Sequence, residues 1–276
     1  VTTSNAKGES ERAATSLWIG KDAPATVSGL SLKRTLDKGL QLRWDAVSTG
    51  AHNGYVDPAS VTYKVVRQPD AKTMSESTTT TVLYDNVESG ELAKYWYEVT
   101  PSAYGKSGET LASNKVVVGP GKATPYSENF EKQEAFDYFT VLDANNDSKT
   151  WSYNEYSQTA EYTGDATVKA DDWLILPPLK LNKSGYYKVT FNVRCNSQNK
   201  HLLAVALGNL PEAENMTTSV MPATEFSTLF ETQKVEAKFL VPSDGDYYLG
   251  FHLLSDALMH SFEIQDISVE QYTTTD

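Results

Sequence analysis

The sequence predicts an all-β chain made of two β-sandwich domains. Three observations carry that expectation. Apolar and polar residues alternate along short runs. Segments rich in Gly, Asn, Asp and Pro separate those runs, and no helical period appears. The composition, with 16 Tyr against 4 Met in 276 residues, favours strands over helices. Hydrophobic residues at 39% and charged residues at 22% suit packed cores rather than disorder. The length fits two domains better than one.

The runs come in order along the chain. Leu40, Leu42 and Trp44 share one face of a strand, with Gln41 and Arg43 on the other. Val61, Tyr63 and Val65 repeat the pattern, as do Tyr95, Tyr97 and Val99, and residues 113–118 close the series. Turns are predicted at 48–54 and at 105–109. The stretch Gly119-Pro-Gly-Lys-Ala-Thr-Pro125 reads as a linker, since two Gly and two Pro in a short span interrupt both strand and helix. Beyond it, Tyr187, Val189, Phe191 and Val193 alternate inward. So do Val235, Ala237, Phe239 and Val241, and then Tyr247, Leu249, Phe251 and Leu253. In the last run the phase slips: Phe262 and Ile264 hold one face, then Ile267 and Val269 take it over. A β-bulge at Gln265-Asp266 produces such a slip.

Residues 21–120 resemble a fibronectin type III domain. The match rests on Pro24, Val27 and Leu30, on Leu40-Gln-Leu-Arg-Trp44, on Tyr63-Lys-Val-Val66, and on Tyr95-Trp-Tyr-Glu-Val99 followed by a Gly105-Lys-Ser turn. The resemblance implies that Trp44 and Tyr97 are core residues and that Tyr95 stands at the tyrosine corner. Residues 1–20 read either as the last strand or two of a preceding domain of the same kind or as a polar leader. The chain opens in mid-pattern at Val1 with no secretory leader, which places the natural start upstream.

Residues 121–276 resemble the cleaved-adhesin and choice-of-anchor J domains of bacterial surface proteins, including the haemagglutinin-adhesin modules of gingipain-type proteases. The matching residues are Ser127-Glu-Asn-Phe-Glu131, Leu142-Asp-Ala-Asn-Asn-Asp147 with Trp151 after it, Asp171-Asp-Trp-Leu-Ile-Leu-Pro-Pro178, and Gln265-Asp-Ile267. The resemblance implies a jelly-roll sandwich with an adhesin role outside the cell. Its partners would be a glycan or a host surface protein, and the fibronectin-like domain would serve as spacer. The alternative is an accessory region of a larger secreted protease or glycoside hydrolase.

Two cation sites follow for calcium as a structural cofactor. Asp143, Asn145 and Asp147 set three oxygen side chains at alternate positions of a loop, as a hard cation requires. The spacing departs from an EF-hand loop, with Ser148 at the turn glycine and Asn154 at the twelfth position. A polar hairpin explains the same residues. The second pair, Glu131 and Asp266, would meet if the first and last strands are neighbours. Paired carboxylates without a cation would repel. Exposed aromatic rings are the expected ligand platforms: Trp151, which suits core or surface, and Tyr153, Tyr156 and Tyr162 in a polar, loop-like stretch.

Charge and motifs exclude other functions. Residues 1–121 hold 13 basic and 13 acidic residues, whereas 122–276 hold 11 and 23, so the whole net charge of −12 lies in the second part. Phosphate backbones are repelled there, and no nucleic-acid partner is expected. The longest apolar stretches, such as 201–207, fall far short of the ~20 residues of a membrane-crossing helix. Cys195 is the only cysteine, and its strand context predicts a buried, inert thiol. No catalytic motif appears, and no enzyme is expected: Gly105-Lys-Ser107 lacks the earlier glycine of a phosphate-binding loop, since position 100 is Thr. His252 and His260 flank a predicted hairpin and stand either close together or simply towards solvent.

Overall fold

The computed structural model describes residues 2–37, 39–195, 200–257 and 261–273. It is almost wholly β. The chain groups into two compact units. One comprises Val1–Leu32, Gln41–Asp85 and Tyr95–Lys115, and the other Lys33–Leu40, Asn86–Lys94 and Val116–Asp276.

Two-residue strands β1 (Ser4–Asn5) and β2 (Gly8–Glu9) form an exposed antiparallel hairpin. The next strands are β3 (Ser31–Thr35), β4 (Gly39–Arg43), β5 (Thr62–Gln68), β6 (Lys72–Thr78), β7 (Val82–Asp85), β8 (Ala93–Ala103), β9 (Lys106–Ser107), β10 (Leu111–Ala112) and β11 (Val116–Val118). One sheet has the order β10-β8-β5-β6, with β9 and β11 also pairing β8, and another the order β3-β4-β7. Alternation positions the first unit's core: Tyr63 and Val65 on β5 and Tyr97 and Val99 on β8 are all buried. Trp44 meets Tyr63 edge-on at 5.3 Å, and the Tyr63 hydroxyl accepts from Val47 N at 2.9 Å. The Tyr97 hydroxyl donates to Asp85 at 2.6 Å, and Arg67 bridges Asp85 and Asp70. Tyr95, by contrast, is only half-buried and lies under the Arg67 guanidinium.

The second unit continues with β12 (Tyr126–Glu128), a single turn of helix α1 (Gln133–Phe136), and β13 (Thr140–Asp143), β14 (Trp151–Asn154), β15 (Thr159–Tyr162), β16 (Asp172–Ile175) and β17 (Leu179–Leu181). Then come β18 (Tyr186–Cys195), β19 (His201–Gly208), β20 (Thr218–Phe226), β21 (Gln233–Phe239), β22 (Gly245–Leu253) and β23 (Phe262–Tyr272). One sheet has the order β14-β15-β23-β18-β21, with β12 added along β23. The other has the order β13-β16-β22-β19-β20, with β17 added along β22.

The inner faces are those the alternation predicts. Tyr187, Val189, Phe191 and Val193 on β18 face Leu249, Phe251 and Leu253 on β22, all fully buried in one cluster. Phe191 and Phe251 meet edge-on at 4.8 Å. At ~25 cal/mol per Å2 of apolar surface removed from water, such rings dominate the stabilising term. The phase slip in β23 is a real bulge. Thr190 pairs with Ser268 but Asn192 with Gln265, so Asp266 and Ile267 both stand opposite Phe191. Asp266 takes a left-handed backbone with φ 51°, the conformation that absorbs an extra residue.

Candidate functional site

The predicted cation loop joins β13 in one sheet to β14 in the other. Asp143 ends β13 and pairs with Asp172 of β16. The Asp143 carboxylate accepts from Asp147 N at 3.2 Å and Ser148 N at 2.8 Å. Asp147 accepts from Lys149 N at 2.7 Å and from Asn145 Nδ2 at 3.0 Å, and Asn145 also donates to Lys169 O. Asn146 and Ser148 both adopt positive φ, so Ser148 fills the glycine conformation without being glycine. Much of the loop's anionic capacity therefore already goes to its own backbone, as the hairpin reading predicts.

Three oxygens around the loop do not follow that pattern. Asn145 Oδ1 and the Tyr162 hydroxyl are buried with no hydrogen-bond partner, and Asp172 Oδ1 is buried with the Thr150 hydroxyl as its only side-chain neighbour of that kind, in a contact too loose for good hydrogen-bond geometry. Asp172 is completely buried. Burial raises its pKa to about 6, a side-chain hydrogen bond with Thr150 and the bond from Asp171 N oppose, and the Asp143 and Asp147 charges push the same way as burial. The Tyr162 hydroxyl is pushed upward by burial and then by Asp172, Asp147, Asp165 and Asp143. Unpaired buried oxygens beside repelling carboxylates are the donor chemistry of a hard cation. Among the described residues, however, no three His, Cys, Asp or Glu side chains are grouped closely enough to hold a metal by themselves. A cation here would need the amide and hydroxyl oxygens. Asp172 belongs to this group and was not anticipated: the apolar run around it hides it, although its position opposite Asp143 follows once the strands pair.

The second pair is not assembled as expected. β12 does pair with β23, with Glu128 opposite Ile267. The cleft beside Asp266, of about 320 Å3, is lined by Glu128 and Asn129 and not by Glu131. Glu131 instead accepts from Asn129 Nδ2 at 2.9 Å, and Asp266 accepts from Asn192 Nδ2 at 2.8 Å. The bulge does turn Asp266 outward. The acidic residue that β12 brings to this edge is Glu128, because Glu131 lies beyond the strand.

The four aromatic candidates separate. Trp151 and Tyr162 are 3% and 2% exposed. Their rings meet at 6.1 Å, and Trp151 also touches Phe262. Trp151 takes the core alternative, and Tyr162 faces inward because β15 is a sheet strand and not the loop expected of it, so neither ring is a platform. Tyr153 is partly buried against Phe136, and its hydroxyl donates to Phe130 O at 3.2 Å. Tyr156, in the β14–β15 turn, is 92% exposed. It borders a cleft of about 340 Å3 lined also by Gln133, Tyr153, Asn154, Glu155 and Glu161. Asn154 Nδ2 donates to Glu161 at 2.6 Å and fixes the polar wall.

The remaining candidates are structural. Cys195 is buried, and its backbone and sulfur bind Thr228. His252 does not face open solvent. It stacks on Trp173 at 3.9 Å and bonds Asp171 at 2.6 Å, and burial, only partly offset by Asp171, lowers its pKa. His260 lies outside the described residues. No helix among them is long and apolar enough to cross a membrane.

Comparison with known proteins finds no matching family model and no matching curated protein. Solved structures do match. The K1 cleaved adhesin domain of Lys-gingipain from Porphyromonas gingivalis W83 is 16% identical with a TM-score of 0.45, over 54% of this chain and 99% of that one. The K2 cleaved adhesin domain of Lys-gingipain is 17% identical with a TM-score of 0.38, over 55% and 99%. The CBM22-1 xylan-binding domain from Paenibacillus barcinonensis Xyn10C is 13% identical with a TM-score of 0.39, over 57% and 100%.

Proposed function

We propose that this chain is a non-catalytic binding protein whose jelly-roll unit recognises a glycan. The observation that carries the reading is the Tyr156 cleft. A ring that is 92% exposed stands over a pocket walled by two amides and two carboxylates, whereas the large aromatics of β14 and β15 are held by the fold. Exposed Tyr with convergent polar groups is the composition of a ligand site. The fibronectin-like residues 21–120 act as a spacer, and the protein works outside the cell, on a bacterial surface or free. Calcium has a structural role, taken by Asp143, Asn145, Asp147 and Asp172, where it would neutralise the carboxylates and fill the unpaired oxygens. A similarly folded domain is named as xylan-binding, which makes xylan a reasonable first probe.

The test is a binding screen of the whole chain against immobilised neutral glycans and matrix proteins, with calcium and with chelator. A saturable glycan signal that Tyr156→Ala weakens about tenfold is expected. Binding confined to matrix proteins, or untouched by that substitution, would refute the reading. No saturable signal in either condition would favour a spacer or the accessory part of a larger secreted enzyme.

A further inference from the structure

The outward face of the sheet β14-β15-β23-β18-β21 carries a row of polar side chains in register. Glu161 on β15 stands opposite Glu263 on β23, and Glu263 opposite Arg194 on β18. Arg194 donates to Glu263 through Nε at 2.7 Å and Nη2 at 2.6 Å. Glu161 is held from its other side by Asn154.

An exposed ring ends this row. The loop after β20 is tied to the end of β18: Cys195 N donates to Thr228 Oγ1 at 2.8 Å, and Phe230 N donates to Cys195 O at 2.8 Å. Leu229 and Phe230 both adopt left-handed backbone, with φ 48° and 69°. Bulky residues avoid that region, and two in succession are held there only by their surroundings. The outcome is a Phe230 ring 66% exposed. It lines a cavity of about 240 Å3 with Glu161, Arg194 and Glu263. Glu161 also lines the Tyr156 cleft. The two hollows have Glu161 as a common wall, with the exposed Tyr156 bordering one and the exposed Phe230 bordering the other.

We propose that the two hollows form one groove for a linear, uncharged oligosaccharide several sugars long. Tyr156 and Phe230 are the stacking platforms, and Glu161, Glu263 and Arg194 are the hydroxyl partners. The proposal rests on the glycan reading above and extends it from one cleft to a polymer-length site. Sugar hydroxyls donate and accept, and the row offers both carboxylate acceptors and guanidinium donors. Neighbouring strands lie about 4.8 Å apart, so the Glu161 to Arg194 row alone spans about 10 Å, and the rings lie beyond it. Two carboxylates against one guanidinium, on a chain of net charge −12, disfavour a polyanion. Glu263 is already neutralised by Arg194, which disfavours a cationic ligand there.

The test is calorimetric titration of the full chain with xylohexaose, cellohexaose and laminarihexaose, with the matching disaccharides, and with a hexalysine peptide. One hexasaccharide is expected to bind at least about tenfold more tightly than its disaccharide. Tyr156→Ala and Phe230→Ala are each expected to weaken it about tenfold. Phe230→Trp, which keeps a ring, should retain affinity, and unchanged melting temperatures would show that the variants fold. Loss with Tyr156→Ala but not with Phe230→Ala would overturn the groove and leave the single-cleft reading intact, as would equal affinity for hexasaccharide and disaccharide. Binding of hexalysine in place of any sugar, or no saturable binding to any of these sugars or to an array of neutral linear glycans, would overturn both.

Discussion

The two sheets of the jelly-roll unit share one core but treat their outer faces in opposite ways. Outside β13-β16-β22-β19-β20, Trp173, Ile175, Ala206 and Tyr248 form a second apolar cluster, closed by Met216. Gly250 keeps this layer flat: a Cβ there would lie 3.0 Å from the Trp173 ring. Outside β14-β15-β23-β18-β21 the surface is charged. Lys188 bridges Glu270 at 2.9 Å and Glu236 at 3.7 Å, and Arg194 bridges Glu263. A face buried on both sides holds its sheet by packing and has no room for a ligand. A face of paired charges adds little stability per pair but stays open. The scaffold and the recognition surface are therefore separated across the thickness of one sandwich.

Substitutions can break or sharpen that contrast. The largest effect is expected on the covered face. Trp173→Ala removes a buried indole and should lower unfolding free energy by about 3–5 kcal/mol in denaturant titration. A loss under 1 kcal/mol would mean that the second cluster is surface decoration.

The group around the β13–β14 loop gives the next effect. The folded-state pKa of Asp172, about 6, lies above the 3.8 of an ordinary Asp. The stability this group contributes is therefore complete below about pH 4 and is lost as pH rises through about 6. In chelator the melting temperature should fall across that window, by the equivalent of about 1–2 kcal/mol after allowance for screening. Asp172→Asn should abolish the slope, and calcium should reverse it by favouring the carboxylate. A flat profile in chelator would remove Asp172 from the cation group.

On the open face the effects on folding should be small. Lys188→Ala is expected to cost under about 1 kcal/mol. Tyr156→Ala should change stability by no more than about 0.5 kcal/mol while weakening binding about tenfold. Should Tyr156→Ala destabilise as much as a core change, the separation between scaffold and recognition surface fails.

Much of this fold is legible in the sequence because period-two alternation reports directly on which side chains a sheet buries. β18, β22 and the phase slip in β23 follow from it. The polar stretch 153–162 misleads because the edge strand β14 and its neighbour β15 carry polar residues on their outward side and a polar turn between them. Tyr162 points inward from such a strand and looks loop-borne. Glu131 fails for a related reason: neighbouring strands bring together only what their register pairs, and β12 ends at Glu128. The proposed groove from Tyr156 to Phe230 has no linear motif, since its members come from three strands and two loops. Its one sequence trace is the apolar pair Leu229-Phe230 in an otherwise polar turn.

The bulge at Asp266 has a consequence for how this strand tolerates change. A β-strand has parity: odd and even positions go to opposite sides. Asp266 is the one residue that breaks the count, which lets Ile264 and Ile267 share a side despite their odd separation. Its left-handed backbone would suit glycine at least as well, so replacing the side chain should leave the strand intact. Deleting the residue would restore strict parity and turn one half of the longest hydrophobic ladder inside out. What the fold protects here is an integer and not a chemistry: the number of residues in β23 matters more than the identity of the one at its bulge.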